Sequence, residues 1–284
     1  MYVLAAVTNT NVKKGINAYR KGLAMNVKDL LSLKDKVVLI TGGEGRYGRC
    51  ILEGLLEADA TAITASPFVD DAKKVAAAFK EKGYDVHVKY VDQADHESVL
   101  KLKDEIEKDF SGLDVFVNNA VARPMKGYDA SMDQFAESMR INATGMVDIT
   151  REMAELIAKR GGGSIVNICS MMGMFGPDLS NYEGTDLGTP SPDYFFHKGG
   201  MFTLTRYLAR VLGDKKIRVN SVSPGGLLAP EIQPERFLQN YTKKVPVGRM
   251  ALPDDIKGVV VFLASQASAY VDGENILMDG GMHC

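Results

Sequence analysis

The sequence predicts a single α/β domain built on a doubly wound parallel sheet. From Lys34 onward, short apolar runs rich in β-formers alternate with longer helical stretches, and the first run leads directly into a glycine-rich turn. Strands that alternate with helices form parallel βαβ units, and right-handed crossovers then wind the chain to both sides of the sheet. No repeat, low-complexity tract or linker interrupts residues 34–284. We therefore expect one catalytic domain there, preceded by an N-terminal extension over residues 1–33.

Each element follows from hydrophobic periodicity and from the residues at its ends. The predicted strands are Lys36–Ile40, Thr61–Ala65, Asp85–Tyr90, Val115–Asn118, Ser164–Ile168, Ile217–Val222 and Asn275–Met278. The predicted helices are Gly48–Glu57, Asp70–Lys82, His96–Asp109, Met132–Lys159, His197–Gly213 and Pro253–Ala264. The extension is basic, with no acidic residue before Asp29, but it contains no serine before Ser32. An accessory helix or flexible arm is therefore favoured over a targeting peptide.

Composition excludes several classes of partner. The 284 residues are 45% hydrophobic and 25% charged, and 34 Lys and Arg against 36 Asp and Glu give a net charge of −2. Nucleic-acid-binding proteins usually carry a basic surface, and membrane helices need about 18 apolar residues in a row. The three cysteines, Cys50, Cys169 and Cys284, show neither zinc spacing nor a disulfide framework. We expect a cytoplasmic protein with a small-molecule substrate, no metal, no nucleic acid and no membrane partner.

The turn after the first strand has the pattern of a dinucleotide-binding loop. Gly43, Gly45 and Gly48 fit G-x-G-x-x-G between a predicted strand and a predicted helix. Glycines there permit the tight turn, the approach of a pyrophosphate and close packing of helix on strand. The N-terminus of the helix offers free N–H groups and a positive dipole end to the phosphates. The fold is thus predicted to be of the Rossmann type.

Five motifs in order resemble those of the short-chain dehydrogenase/reductase superfamily. They are Thr41–Gly48, Asn118-Asn119-Ala120, Tyr194-x-x-x-Lys198, Pro224-Gly225 and Asp279-Gly280-Gly281. The layout resembles the compact class, although Arg46 stands where that class usually has glycine. Gly45 shifts the spacing towards that of the extended class, which modifies nucleotide sugars. The resemblance covers roughly Leu33 to Gly281 and implies an NAD(P)-dependent enzyme acting on CH–OH groups.

The resemblance also predicts the coenzyme site. Its expected residues are Gly42, Gly43, Gly45, Arg46, Tyr47, Gly48, Ser66, Asp92, Gln93, Asn119, Ala120, Tyr194, Lys198, Pro224, Gly225 and Leu227. An acid after the second strand usually binds the ribose 2′-hydroxyl of NAD, but Ser66 occupies that position here. Because no carboxylate there would repel a 2′-phosphate, and Arg46 faces the same region, the sequence favours NADP(H). Asp92 matches the acid that binds the adenine amino group, with a turn or helix N-cap as the alternative.

Two residues four positions apart, Tyr194 and Lys198, would share one face of a helix. Phenols titrate near pH 10, and a nearby ammonium favours the phenolate, so such a pair suits proton transfer. Ser170 lies just beyond a predicted strand end, where doubly wound sheets bind ligands. The resemblance assigns Ser170, Tyr194, Lys198 and Asn142 to a catalytic tetrad, in which Lys198 also binds the nicotinamide ribose and Asn142 orients a relay water. His197 is interpreted as a packing or solvent-facing residue.

The segment between Ser170 and Tyr194 is unusually long. Twenty-four positions separate the two residues, about twice the number in compact relatives. We expect Met171–Asp193 to line the substrate pocket, with contact to a neighbouring subunit as the alternative. Its polar residues suit a hydroxylated substrate: Asp178, Asn181, Tyr182, Glu183 and Asp186. The loop resembles that of family members linked to sugar and surface-glycan metabolism, so the expected substrate is sugar-, polyol- or hydroxy-acid-like.

Two other functions remain open at this level. The glycine spacing is compatible with an epimerase or dehydratase that acts on nucleotide sugars. The other alternative is a regulator that binds a dinucleotide but has lost catalytic activity, because a fold does not by itself imply a function. The resemblance further implies a homo-oligomer, a tetramer or dimer. Its contacts would involve the helices predicted at Met132–Lys159 and His197–Gly213, with the C-terminal tail forming a second contact.

Overall fold

The computed structural model describes residues 25–284, so the prediction for most of the N-terminal extension lies outside the described residues. The described part begins with a short helix, α1 (Val27–Leu31). The Asn26 side chain caps this helix by accepting hydrogen bonds from the backbone N–H groups of Lys28 and Asp29. Leu33 follows and is almost completely buried, with its N–H donating to the carbonyl of Ala58. This contact joins the end of the extension to the main domain.

Seven parallel strands form one sheet in the order β3-β2-β1-β4-β5-β6-β7. The strands are β1 (Val37–Thr41), β2 (Thr61–Ser66), β3 (Val86–Tyr90), β4 (Val115–Asn118), β5 (Gly163–Ile168), β6 (Ile217–Pro224) and β7 (Asn275–Met278). All seven predicted strands are present, with ends that differ by at most two residues. The predicted doubly wound fold is confirmed.

Helices cover both faces of this sheet. They are α2 (Arg46–Glu57), α3 (Val69–Glu81), α4 (His96–Phe110), α5 (Met132–Met139), α6 (Met146–Lys159), α7 (Pro192–Leu212), α8 (Glu235–Thr242) and α9 (Lys257–Ala264). Alternate residues of β1 show the two layers: Val38 packs in one core with Leu55 of α2, and Leu39 packs in the other with Ile149 of α6. A strand buried on both faces reads as a continuous apolar run, which is why Val37–Ile40 shows no polar alternation.

Three helix predictions need correction, and one helix was missed. The helix predicted from Pro253 begins as a 3-10 turn, Pro253–Ile256, and is α-helical only from Lys257. The helix predicted over Met132–Lys159 is interrupted by a π-helical segment, Arg140–Gly145, between α5 and α6. Helix α7 begins at Pro192, five residues before the predicted start, because Pro192 and Asp193 suit a first helical turn. Helix α8 was not predicted at all. Its eight residues are too few for periodicity to stand out, and they are stabilised by packing on the segment after β5.

The strand order reverses at β1, which lies between β2 and β4. At such a point the loops leaving neighbouring strands diverge to opposite faces of the sheet and leave a crevice at the carboxyl ends. The loops that follow β1, β4, β5 and β6 all reach this edge. Among residues 25–284, none of the helices has the length and apolarity needed to cross a bilayer.

Candidate active site

The turn between β1 and α2 requires glycine at two positions. Gly42 has a φ of +67°, a conformation that side chains disfavour. A Cβ atom on Gly48 would lie 2.1 Å from the carbonyl oxygen of Gly42, so any side chain there would force α2 away from the turn. The turn therefore brings the N-terminus of α2 next to the carboxyl end of β1, the arrangement that binds a pyrophosphate.

Hydrogen bonds fix this turn to the neighbouring loops. The Thr41 hydroxyl accepts from the backbone N–H groups of Asn119 and Ala120, each at 3.1 Å. The Asn119 amide in turn donates to the carbonyls of Thr41 and Gly42, at 2.9 and 3.0 Å. Asn119 and Ala120 were predicted as site residues only from the family resemblance. These bonds show that both residues also hold the turn after β1 against the loop after β4. They set the width of the crevice between the loops after β1 and β4.

A cleft of about 1080 Å³ runs along this edge of the sheet. All but one of the residues predicted for the coenzyme site line it: Gly42, Gly45, Arg46, Tyr47, Gly48, Ser66, Asp92, Gln93, Asn119, Ala120, Tyr194, Lys198, Pro224, Gly225 and Leu227. The exception is Gly43, whose N–H donates to the Thr64 hydroxyl at 3.2 Å. Gly43 therefore packs against β2 and does not line the cleft, so the structure indicates a packing role for this glycine.

Glu44, which sequence reasoning passed over, lies beside Ser66 at the end of β2. The buried Ser66 hydroxyl donates to the Glu44 carboxylate oxygen Oε1 at 2.6 Å and accepts the backbone N–H of Phe68 at 3.0 Å. The second carboxylate oxygen of Glu44, Oε2, is buried and has no partner among the described residues. A carboxylate thus stands in the cleft at the position where the sequence showed only serine.

Asp92 and Gln93 follow β3 at the same end of the cleft. One carboxylate oxygen of Asp92 accepts the backbone N–H of Ala94 at 2.9 Å, which is the turn interaction considered as the alternative to adenine binding. The N-cap of α4 is Asp95 rather than Asp92. The Gln93 amide donates to the carbonyl of Ile141 at 3.0 Å and ties this loop to the π-helical segment.

At the opposite end of the cleft, the structure brings together Ser170, Tyr194 and Lys198. Because α7 begins at Pro192, Tyr194 and Lys198 lie one helical turn apart in its first two turns. The buried Lys198 ammonium donates to the carbonyl of Ile168 at 2.6 Å and lies 5.9 Å from the centre of the Tyr194 ring. Ser170 follows β5 directly and caps the short helical turn at Met171–Gly173.

Asn142 lies behind the wall of the cleft in the π-helical segment. Its side-chain amide donates to the carbonyl of Ala122 at 2.8 Å and to the Ser138 hydroxyl at 3.0 Å, while its oxygen accepts the N–H of Ala122 at 2.9 Å. Both N–H donors of the amide are therefore used within the protein. The side chain holds the loop after β4, and Asn142 is not among the residues that line the cleft.

Two further residues surround the Tyr194 ring. The Arg123 guanidinium lies 4.4 Å from the ring centre and lines the cleft. The His197 ring packs edge-on against the other side, with centroids 5.2 Å apart, and neither ring nitrogen has a partner among residues 25–284. Burial, reinforced by the positive charges of Lys198 and Arg123, lowers the pKa of His197 from its ordinary value near 6.5 to about 3. His197 is therefore a neutral packing residue, as predicted. Arg123 was missed because a lone arginine in a loop carries no pattern.

The long segment after Ser170 packs on α8 and walls the cleft. The Tyr182 ring packs at a tilt of 49° against Phe237 of α8, with ring centroids 5.5 Å apart. The Lys244 ammonium donates to Asp178 at 2.6 Å, to Asn181 at 2.8 Å and to the Ser180 hydroxyl. Asp178, Asn181 and Tyr182 line the cleft as expected, whereas Glu183 and Asp186 do not. The prediction for those two acids is wrong because that part of the loop points to solvent.

This end of the cleft is also more apolar than the sequence suggested. Its lining includes Met171, Met172, Phe175, Phe237, Met250 and Met282. Phe175 stacks flat on His283 of the C-terminal tail at 4.1 Å, and His283 is held by the Asp279 carboxylate at 2.8 Å. The tail therefore closes the cleft together with the inserted segment, a contact between residues more than 100 positions apart in the sequence.

Comparison with known proteins decides the family. The model of a family described as enoyl-(acyl carrier protein) reductase matches residues 48–283 of this chain, which is most of its length. This chain belongs to the short-chain dehydrogenase/reductase superfamily. Its fold, a single seven-stranded parallel sheet flanked by helices, is that of the superfamily's solved structures.

Relatives of different specificity align over nearly the whole domain. The 3-oxoacyl-(acyl-carrier-protein) reductase of Aquifex aeolicus is 32% identical over 89% of this chain and 99% of its own. A gluconate 5-dehydrogenase from Burkholderia cenocepacia, solved with NADP and tartrate, is 27% identical with a TM-score of 0.79, over 90% of this chain and 98% of its own. A short-chain dehydrogenase from Leptospira borgpetersenii, solved with bound NAD+, is 30% identical with a TM-score of 0.78, over 92% and 97%. This chain is therefore a dehydrogenase/reductase, an enzyme acting on CH–OH groups.

Proposed function

We propose that this protein interconverts an alcohol, chiefly a secondary alcohol, and the corresponding carbonyl compound on a small polar substrate, using NAD(P)(H). The observation that carries the proposal is the joint placement of Ser170, Tyr194 and Lys198 in one cleft. The other end of the same cleft begins at the glycine turn and the N-terminus of α2. Reacting groups and coenzyme-binding groups thus lie along one continuous surface, which is what a hydride-transfer enzyme requires.

The residues of the cleft fit a dinucleotide. The turn at Gly42–Gly48 and the start of α2 would hold the pyrophosphate, and the loops after β2 and β3 would hold the adenosine half. Lys198 would bind the nicotinamide ribose, since an ammonium has three donors and only one is used by Ile168. When bound, the nicotinamide coenzyme supplies or accepts the hydride.

The proposed mechanism assigns one task to each catalytic residue. The Tyr194 hydroxyl exchanges a proton with the substrate oxygen, while the Ser170 hydroxyl hydrogen-bonds that oxygen and holds it in place. The Arg123 guanidinium and the Lys198 ammonium lie 4.4 and 5.9 Å from the centre of the Tyr194 ring, so both cationic side chains stand beside the proposed site of proton transfer. Asn142 positions the loop that carries Arg123, and its main-chain carbonyl is the proposed site of a relay water.

The proposed substrate is sugar-, polyol- or hydroxy-acid-like. Asp178 and Asn181 offer polar groups, although both are partly engaged by Lys244. Arg123 forms no ion pair with the described residues and faces the cleft beside Tyr194, so a substrate carboxylate would find a partner there. The binding of tartrate in the Burkholderia relative accords with an acidic substrate. We therefore place hydroxy acids first among the three classes.

The alternatives receive less support. A regulator without activity would have no need of Ser170, Tyr194 and Lys198 in one cleft. A nucleotide-sugar epimerase or dehydratase was suggested only by the glycine spacing, whereas the relatives compared above are a reductase and dehydrogenases. We further propose a cytoplasmic location, because Cys50, Cys169 and Cys284 are all free thiols in the structure.

The test is an assay with both coenzymes and a matched substrate panel. Each hydroxy acid is compared with the polyol that lacks only its carboxylate, and the reaction is followed at the nicotinamide absorbance. We expect turnover with at least one polar secondary alcohol or ketone, and higher kcat/KM for the acid of each pair. Absence of turnover with every alcohol and carbonyl class, by a protein that binds coenzyme, would refute the proposal.

A further inference from the structure

Glu44 lies beside Ser66 at the end of the cleft proposed to hold the adenosine half of the coenzyme, and its charge bears on which coenzyme the enzyme takes. The inference rests on the proposed function, because it concerns the same cleft. Ser66, at the end of β2, sits where dinucleotide folds place the residue that reads the ribose. Its buried hydroxyl is already used twice, as a donor to Glu44 and as an acceptor from Phe68. Ser66 is therefore a support for Glu44 rather than the ribose-binding group.

One oxygen of the Glu44 carboxylate accepts a hydrogen bond, and the other has no hydrogen-bond partner among residues 25–284. Oε1 is held by Ser66 at 2.6 Å, which sets the orientation of the side chain. Oε2 is buried without a partner among residues 25–284, while the residue itself lines the cleft. A buried carboxylate oxygen that accepts no hydrogen bond is costly, so its retention indicates a donor supplied from outside the chain. A ribose hydroxyl is such a donor.

We propose that Glu44 selects NAD(H) over NADP(H) by accepting a hydrogen bond from the adenosine ribose. The carboxylate reaches the ribose from the turn after β1, supported by Ser66, instead of arising from the end of β2. A free 2′-hydroxyl donates to Oε2. A 2′-phosphate has no proton to donate to Oε2. Its negative charge would also lie next to the Glu44 carboxylate in a site partly shielded from solvent, where the repulsion between the two charges is poorly screened.

The basic residues nearby do not offset this charge. The Arg49 side chain donates through Nε to the main-chain carbonyl of Glu44 at 2.9 Å and is exposed. Arg46 lies in the first turn of α2, the position from which a side chain meets the pyrophosphate. The proposal is the opposite of the NADP(H) expectation, which was drawn from the absence of an acid at Ser66, because Glu44 brings an acid to the same place from another loop.

Direct binding of NADH and NADPH, measured by isothermal titration calorimetry without substrate, tests the inference. We expect wild-type protein to bind NADH at least about tenfold more tightly than NADPH. Glu44→Gln keeps the shape and removes the charge, and it should reduce that ratio about tenfold, mainly by tightening NADPH binding. Glu81→Gln, which removes one exposed charge at the end of α3, is the matched control and should leave both dissociation constants unchanged.

Several outcomes separate this inference from the proposed reaction. Equal or tighter binding of NADPH by the wild type would overturn the inference and leave the proposed function standing. An unchanged ratio in Glu44→Gln would also overturn it, and a fall in NADPH binding in Arg46→Gln alone would assign the choice to Arg46. Tight, selective NADH binding without turnover on any substrate would refute the reaction but support Glu44. Binding of neither coenzyme would overturn both.

Discussion

At the scale of single residues, the environment of the Tyr194 ring combines charge, packing and access to the cleft. Arg123 lies on one side, His197 on another, and Lys198 one helical turn further along α7. The lysine and the arginine stand beside the proposed site of proton transfer. The histidine adds no charge, because its pKa lies far below neutrality. The chemistry of the site therefore depends on a few contacts that join the loop after β4 to the start of α7.

Replacing Tyr194 by Phe should abolish most of the turnover. The ring and its contacts with Arg123 and His197 are retained, and only the transferable proton is lost. We expect kcat to fall by about 100-fold or more, the usual contribution of one acid–base group, with coenzyme dissociation constants within about twofold of wild type. Steady-state kinetics and calorimetry measure the two effects. A variant with near-normal turnover would show that Tyr194 is not the proton donor.

Replacing His197 by Phe should make the protein less sensitive to acid. The pKa of His197 is lowered in the folded state to about 3, so the unfolded chain binds the proton first as pH falls below about 6.5. Its contribution to stability is therefore fully present above pH 6.5 and is lost progressively towards pH 3. By pH 5 the loss amounts to about 2 kcal/mol.

Urea unfolding at pH 7.5 and pH 5 measures this effect in both proteins. The drop in unfolding free energy between the two pH values should be about 2 kcal/mol smaller for His197→Phe than for wild type. Comparing the two drops cancels any change in stability that the substitution causes at pH 7.5. Identical drops would mean that His197 is protonated, or solvated, in the folded state.

At the scale of elements, the segment Met171–Asp193 and helix α8 pack together at the end of the cleft that holds Ser170 and Tyr194. Tyr182 and Phe237 form their apolar contact, and Lys244 binds three polar groups of the segment. The segment therefore packs on its own chain, so its expected role as a pocket wall needs no neighbouring subunit. The Lys244 ammonium, which follows α8, is the group that joins Asp178, Ser180 and Asn181 of this segment.

Replacing Lys244 by Met should loosen this wall without touching the coenzyme site. Asp178, Asn181 and Ser180 lose their shared donor, so the substrate meets a less ordered pocket. We expect KM for the best substrate to rise about threefold to tenfold, with coenzyme binding unchanged. Lys243→Met is the matched control, because the neighbouring lysine is exposed and its side chain forms no hydrogen bond with residues 25–284. Equal effects of both substitutions would contradict the assignment.

At the scale of the whole molecule, exposed apolar side chains mark one face of α7. Tyr207 and Val211, four residues apart, are 62% and 45% exposed, and Phe196 on the same helix is 66% exposed. Clusters of this kind usually mark an interface. The tail contributes Tyr270, which is fully exposed. These features accord with the homo-oligomer expected from the family, with α7 and the tail at separate contacts.

We predict that the protein self-associates as a dimer or tetramer. Light scattering at micromolar concentration should give a molar mass two or four times the chain mass of 30.9 kDa. The double variant Tyr207→Lys/Val211→Lys should lower that mass, because two charges would have to be buried in the contact. Val27→Lys, at an equally exposed position on α1, should not. A wild-type mass equal to that of one chain would refute the prediction.

The sequence by itself determined the order of the strands and of most helices, the glycine turn and the residues that are proposed to react. Each of these depends on neighbours in the chain: β1 is a run of apolar residues, and Tyr194 and Lys198 are one helical turn apart. Such local patterns survive without knowledge of the fold. The topology followed as well, because parallel βαβ units allow few arrangements.

Only the tertiary structure revealed the contacts that shape the site. Glu44 meets Ser66 across 22 positions, and Lys244 meets Asp178 across 66. No periodicity links such pairs, because their distance is set by how the loops leave the sheet. The π-helical break after α5 likewise arises where Gln93 and Asn142 bind across the fold. The sequence predicted the class of reaction. The packing of distant loops placed Glu44 and Arg123 in the cleft, where they would face the coenzyme and the substrate.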